Sequence, residues 1–131
     1  MEGRFFEPDD KICLIFSNEQ YDKLREIPEF SKRAYDHAWS LANEFMYSDM
    51  PQAREWADTF EYGIKAYGFS DDQIHRYNDV DRATMSSAFD DFALCKIRQN
   101  TEQGRRTLLL CFYAGHGCND ENSTVAYLNS N

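Results

Sequence analysis

No apolar run in the sequence approaches the roughly 18 residues that a membrane-spanning helix needs. The first ten residues are polar apart from a Phe-Phe pair and show no signal-peptide pattern. We therefore expect no membrane partner and a cytoplasmic location. Basic residues are also scarce, since 14 Lys and Arg accompany 23 Asp and Glu, for a net charge of −9. Because nucleic acids are bound through a basic face, no nucleic-acid partner is expected.

Metal-binding cysteine patterns are absent too. The four cysteines (Cys13, Cys95, Cys111 and Cys118) contain no Cys-x-x-Cys spacing and no zinc-type pairing with histidine. We therefore expect reduced thiols rather than a zinc site or a disulfide framework. The acidic turn at residues 118–123 lacks the alternating oxygen ligands, central glycine and terminal glutamate of an EF-hand loop. Neither a metal nor another cofactor is expected.

The 131 residues, 42% of them hydrophobic, suit one globular domain. We interpret residues 1–10 as a polar arm and residues 11–131 as the domain. A short apolar run at residues 11–17 predicts a buried strand. Helical spacing follows Ser31, with one apolar face formed by Tyr35, Ala38, Trp39, Ala42, Phe45 and Met46. After an interruption at residues 48–51, a second helix ends at Gly68 and is expected to bury Trp56, Phe60, Ile64 and Tyr67.

The remaining elements alternate between strand and helix. Residues 73–78 predict a short edge strand with His75 on its exposed side, and residues 100–106 predict a polar loop. Residues 82–99 predict a helix that buries Met85, Ala88, Phe89, Phe92 and Cys95. Asp90 and Asp91 lie on the opposite side of this helix and are expected to be solvated. Strands that alternate with helices pair in parallel, so we predict a three-layer α/β/α sandwich with a mainly parallel sheet.

The longest apolar run, residues 108–114, predicts a strand buried on both faces of the sheet. It stops at Gly115, and His116 follows between two glycines. Ligands and catalytic groups of open α/β sheets lie at the carboxyl ends of strands. Glycines on either side of the histidine also allow another chain to approach the imidazole closely. A strand that simply ends in a Gly-His-Gly turn remains the alternative from the residues alone.

The hexapeptide Phe-Tyr-Ala-Gly-His-Gly at residues 112–117 closely resembles the histidine motif of caspase-like cysteine peptidases, the caspase, metacaspase and paracaspase superfamily. The resemblance extends upstream in weaker form. It implies a caspase-like α/β fold, cysteine-type endopeptidase activity and a protein or peptide substrate. It also implies that His116 is the catalytic acid/base and that the backbone N–H of Gly117 belongs to the oxyanion site.

The catalytic cysteine that the family pairs with this histidine has no counterpart in the sequence. In caspases it lies about 50 residues after the histidine, within a Gln-Ala-Cys type segment. Cys118 lies only two residues after His116, along a turn. We expect Cys13 to be packed in its strand and Cys111 to point into the core. Cys95 is expected on the buried or boundary face of its helix.

Two explanations for the missing cysteine remain open. The domain is partial and its cysteine lies beyond Asn131, or the chain is an inactive homologue that associates with itself or a related chain. An unrelated flavodoxin-like signalling domain is a third, supported only by Asn18-Glu19.

The resemblance says less about substrate specificity than about the fold and the catalytic histidine. In metacaspases and paracaspases an aspartate on the helix after the first strand shapes a pocket for a basic substrate residue. Asp36 and Asp58 are both candidates, and a solvated helix face is the alternative for each. The family pattern also has one helix in this region, whereas two are predicted here. No motif identifies Arg25 or Arg33 as a residue that binds a substrate aspartate, so the sequence leaves open which residue precedes the cleaved bond.

Overall fold

The structure is a computed structural model that describes residues 7–20, 49–119 and 126–128, with residues 118, 119 and 126–128 described by their backbone alone. The amphipathic helix predicted after Ser31, together with Arg25, Arg33 and Asp36, lies outside the described residues. In the part that is described, no helix is long and apolar enough to cross a membrane.

Strands and helices alternate along the described chain. The strands are β1 (Asp10–Ser17), β2 (Ile74–Asn78), β3 (Thr107–Ala114), β4 (Gly117–Asn119) and β5 (Ala126–Leu128). The helices are α1 (Gln52–Ala66), α2 (Arg82–Ser87) and α3 (Leu94–Glu102), with a 3₁₀ turn at Asp71–Gln73 and a π-helical turn at Ala88–Ala93 that joins α2 to α3. The strands predicted at residues 11–17, 73–78 and 108–114 are therefore present.

The three longer strands form one parallel sheet in the order β2-β1-β3. Asp10–Ser17 pair residue by residue with Thr107–Ala114, and the second half of β1 pairs with β2 from Cys13↔Ile74 to Ser17↔Asn78. The predicted parallel pairing is confirmed. Because all three strands run the same way, their carboxyl ends meet at one edge of the sheet. The two short strands β4 and β5 form a separate antiparallel pair after β3.

Helices cover opposite faces of the sheet. On one face Cys13 and Ile15 of β1 pack with Ala57, Phe60 and Ile64 of α1. On the other face the alternate residues of β1 pack against the α2–α3 segment, in a cluster that includes Ile12, Leu14, Phe16, Met85, Ala88 and Ala93. This alternation follows from the two-residue period of a strand. The predicted three-layer α/β/α arrangement is therefore confirmed for the described elements.

The strand buried on both faces is β1, not β3 as the sequence predicted. Residues 12–17 of β1 are all buried, whereas Leu108–Leu110 of β3 are half-buried and Cys111 is exposed. The reason is position in the sheet. In the described ranges β1 has a strand on each side, while β3 pairs with β1 alone. The expectation that Cys111 points into the core is wrong for the same reason.

The buried face of α1 also differs from the predicted one. Ala53 and Ala57 are fully buried, while Trp56 is 52% exposed and Tyr67 is 83% exposed. At 100° per residue, Ala53, Ala57, Phe60 and Ile64 share one narrow arc of the helix. Trp56 lies to one side of this arc, and Tyr67 follows the last residue of the helix. Small alanine side chains allow α1 to approach the sheet closely. Phe60 then stacks on Phe112 of β3, with ring centroids 4.4 Å apart.

The C-terminus of α1 confirms the role predicted for Gly68. This residue has a φ of +93°, and its N–H donates to the carbonyl of Lys65 at 3.1 Å. The N–H of Phe69 donates to the carbonyl of Ile64 at 3.3 Å. Together these bonds form a Schellman cap, and the buried Phe69 packs in the same cluster as Ile64.

We expect Gly68→Ala to lower the free energy of unfolding by about 1 kcal/mol, because an L residue is strained at this φ. Gly63→Ala is the matched control. Gly63 lies inside α1, and a Cβ there meets no atom within 4 Å. This second substitution should raise stability by about 0.5–1 kcal/mol, since alanine favours the helix. Urea unfolding of both variants measures the difference, and an equal effect of the two would contradict the assignment of the cap.

The helix predicted at residues 82–99 is present and extends to Glu102, but its inward face shifts at the π-helical turn. Met85 is buried before the turn, Ala88 and Ala93 are buried at its two ends, and Asn100 is buried after it. A π-helical turn inserts about one extra residue and rotates the following face by roughly 100°. Cys95 is consequently exposed, so its predicted position on a buried or boundary face is wrong.

Candidate functional site

The carboxyl ends of the three parallel strands are joined by a set of short hydrogen bonds. The N–H of Asn18, just after β1, donates to the carbonyl of Ala114 in β3 at 2.9 Å. On the other side the N–H of Asp79 donates to the carbonyl of Ser17 at 2.9 Å. The Ser17 hydroxyl donates to Oδ1 of Asn78 at 2.6 Å. These contacts align the three strand ends, and we call this part of the molecule the carboxyl edge.

His116 lies at the carboxyl edge, in the bend between β3 and β4, and is half-buried. Its backbone carbonyl accepts a hydrogen bond from the hydroxyl of Tyr113, whose ring packs against the cluster beneath the α2–α3 segment. The main chain that carries the imidazole is thus tied to the core. Gly117 follows as the first residue of β4, exposed and in register with Leu128 of β5.

The thiols with described side chains do not resemble an activated nucleophile. Cys13 is fully buried, and burial, followed by the nearby Cys111 and Glu61, raises its pKa to about 11. Partial burial also raises the pKa of Cys111. A nucleophilic thiol needs a lowered pKa instead, since the thiolate is the reactive form. Cys13 is the packed thiol that the sequence predicted.

Position argues against the same thiols. Cys111 lies within β3, about 10 Å of extended chain before the strand ends at Ala114, and Cys13 pairs with Leu110 still further from the edge. Cys95 lies on α3, where its sulfur accepts a hydrogen bond from Gln99 at 3.7 Å. For Cys118 the backbone lies in β4, and its side chain is outside the described residues. Within those residues, too, no three His, Cys, Asp or Glu side chains converge as metal ligands would.

Asp58 has a clear structural partner. It is exposed on α1, and its Oδ1 lies 2.9 Å from a guanidinium nitrogen of Arg76 in β2, a guanidinium that Glu61 also approaches at 3.5 Å. This pair ties α1 to the edge strand. Asp90 and Asp91 are exposed as predicted, and the Ser87 hydroxyl donates to Asp91 at 2.9 Å.

A small cavity of about 170 Å³ lies at the opposite, amino end of the sheet. His75 lines it and contacts the ring of Phe92 edge-on, with centroids 4.5 Å apart, so this histidine is half-buried rather than on an exposed side. Burial and the charge of Lys96 lower the pKa of His75, while Asp72 opposes the shift. The cavity mixes charges of both signs and is separated from His116 by the length of the strands.

Sequence reasoning missed Asp79, whose side chain makes several contacts at the carboxyl edge. Its Oδ1 accepts the N–H of Glu19 at 2.7 Å and that of Gln20 at 2.9 Å, and its Oδ2 lies 3.2 Å from Arg54. Its neighbours in sequence form no recognisable functional motif. The rule that drew attention to His116, that polar residues just after a parallel strand lie at a functional edge, applies equally to Asp79.

Comparison with known proteins gives one result. A family model described as the caspase domain, Peptidase_C14, matches residues 10–130. The match therefore spans every strand from β1 to β5 and includes His116. Neither the curated proteins nor the solved structures contain a significant match to the chain.

Proposed function

The chain belongs to the caspase-domain family, and from this premise we propose that it supplies the histidine of a cysteine-type endopeptidase. The observation that carries the proposal is the placement of His116, between two glycines at the carboxyl end of a parallel strand. That edge is where α/β sheets hold their reacting groups. Protein or peptide substrates follow from the family.

The proposed chemistry needs a group that moves a proton beside the scissile bond. Imidazole suits this step because it accepts and donates protons near neutral pH. His116 would remove the thiol proton of the nucleophile and later protonate the leaving amine. The backbone N–H of Gly117 would donate to the oxyanion that forms on the carbonyl, the position where such donors have most effect.

The nucleophile of this dyad would be a cysteine on a strand beside β3. Cys13 and Cys111 have raised pKa values and lie along the strands rather than at their carboxyl ends. This observation favours a second candidate function as well, that of a catalytically inactive homologue. Such a chain would bind a related caspase-like chain or a second copy of itself and regulate it, with no hydrolysis of its own.

One experiment separates the two functions. The transcript is sequenced through and past the codon for Asn131, and its whole product is tested on peptides with Asp, Arg or Lys before the cleaved bond. Cleavage that a thiol-alkylating reagent blocks supports the peptidase, and the preferred peptide identifies the specificity. A stop codon directly after Asn131, together with no cleavage of any peptide, contradicts it and favours the binding module.

A further inference from the structure

Asp79 adopts a backbone conformation that costs energy. It has a φ of 53°, and it is the one non-glycine residue with a positive φ among those that the structure describes. Aspartate tolerates this left-handed region better than most residues, but it is still disfavoured. Conformations of this kind persist where surrounding contacts impose them, and they concentrate at functional sites.

Three contacts of Asp79 reach the end of β1 and the chain that leaves it. Its N–H donates to the carbonyl of Ser17, the last residue of β1. Its carboxylate then accepts the next two free donors, the N–H groups of Glu19 and Gln20, on a single oxygen. Together with the bond from Asn18 to Ala114, these contacts fix four consecutive backbone positions at the carboxyl edge. With this φ, Asp79 makes three of these contacts, to Ser17, Glu19 and Gln20.

The second carboxylate oxygen extends the same contact to α1. Oδ2 of Asp79 lies 3.2 Å from Arg54, whose Nε also lies 3.8 Å from Glu19. The carbonyl of Glu19 accepts the N–H of Met50 at 2.7 Å, just before α1 begins. One carboxylate thus connects the ends of β1 and β2 with the start of α1.

We propose that Asp79 is a positioning residue of the carboxyl edge. Its carboxylate holds the backbone of Glu19 and Gln20 beside the strand end that carries His116, and this backbone forms one wall of the substrate site. The role of this wall rests on the proposed peptidase function. The hold of the Asp79 carboxylate on the two amides, which we call the clamp, does not. Helix capping does not account for Asp79, because the N–H of Thr84 in α2 is capped by Asp81 at 2.8 Å.

Amide hydrogen exchange of the whole chain, measured residue by residue by NMR, tests the clamp. Asp79→Gly removes the carboxylate and accepts the positive φ, so the fold is retained. Exchange at Glu19 and Gln20 should accelerate roughly tenfold or more, because each amide loses a bond to a charged acceptor. Leu14, in the middle of β1, should be unchanged.

Two variants make this result specific. Asp79→Asn keeps an amide oxygen in place of Oδ1, so it should restore slow exchange at Glu19 and Gln20 although the ion pair with Arg54 is lost. Asp81→Gly is the matched control and should accelerate Thr84 alone. Unchanged exchange at Glu19 and Gln20 in Asp79→Gly would overturn the proposal. Equal acceleration at Leu14 would also overturn it, since that is general destabilisation.

Steady-state kinetics of the whole peptidase test whether the backbone of Glu19 and Gln20 forms a wall of the substrate site. Asp79→Gly should raise KM several-fold and leave kcat within about twofold, with the pH profile of kcat unchanged because His116 is untouched. A fall in kcat at constant KM contradicts a role in substrate positioning. If the parent protein cleaves nothing, the peptidase proposal and the wall fail together, and the exchange measurement still decides whether Asp79 holds the two amides.

Discussion

Replacement of His116 by alanine is expected to abolish peptide cleavage by the whole peptidase, lowering kcat/KM by roughly 10³-fold or more. The loss follows from the proposed role of His116, which is to exchange a proton with both the nucleophile and the leaving amine. The fold should survive. The bond that anchors this bend runs from the Tyr113 hydroxyl to the backbone carbonyl of residue 116, which alanine retains.

His75 offers the matched control. It is a half-buried histidine of the same sheet, but it lies at the amino end, next to Phe92. His75→Gln should leave kcat/KM within about threefold of the parent value, since it removes an imidazole far from the reaction. Thermal unfolding of both variants verifies that they are folded. Turnover by His116→Ala within tenfold of the parent would remove the catalytic assignment.

Phe16→Ala is expected to lower the free energy of unfolding by about 3–5 kcal/mol. Phe16 is 1% exposed in the central strand and stacks on Tyr77 at 5.1 Å and on Phe89 at 5.5 Å between ring centroids. Its removal leaves a cavity between β1, β2 and the α2–α3 segment, bounded by a strand that is paired on both sides and cannot move in to fill it. Domains of this size are stable by only about 5–15 kcal/mol, so the loss is a large share of the total.

An exposed aromatic provides the comparison for this variant. Tyr62 on α1 is 81% exposed, and Tyr62→Ala should change stability by no more than about 0.5 kcal/mol. Urea unfolding of both variants gives the difference. A loss below about 1.5 kcal/mol for Phe16→Ala would mean that the cluster around β1 is not the main core of the domain.

The order of the elements was readable from the sequence because strands and helices have different hydrophobic periods. The runs that became β1 and β3 stood out by their lack of polar residues, and Gly68 marked the end of α1. Which of the two strands is central was not readable, because pairing joins residues far apart in the chain. The longer apolar run belongs to β3, yet β1 holds the buried position.

Local spacing also misled where the helix was not regular. The assignment of Cys95 to a buried or boundary face assumed an unbroken α-helix, and the π-helical turn at Ala88–Ala93 moved it to the surface. The hydrophobic pattern of α1 favours Trp56 and Tyr67 as buried residues, because large side chains dominate such a pattern. Close approach of helix and sheet favours the small ones instead.

His116 and Asp79 show how far the residues of the carboxyl edge can be recognised from the sequence. His116 is recognisable because its neighbours in sequence form a motif. Asp79 acts on backbone amides that lie about 60 residues earlier, and backbone donors leave no trace in a sequence. A contact of this kind is visible only after the strands have been placed side by side.

The central position of β1 has a consequence for biosynthesis. This strand ends at Ser17, and its partner β3 begins about 90 residues later, at Thr107. At roughly 5–20 residues per second, translation leaves an interval of about 5–20 s in which a largely apolar strand has at least one unpaired edge. Unpaired apolar strands of this kind seed aggregation. The nascent chain should therefore depend on a holding chaperone until β3 emerges, and slow translation should lower its soluble yield.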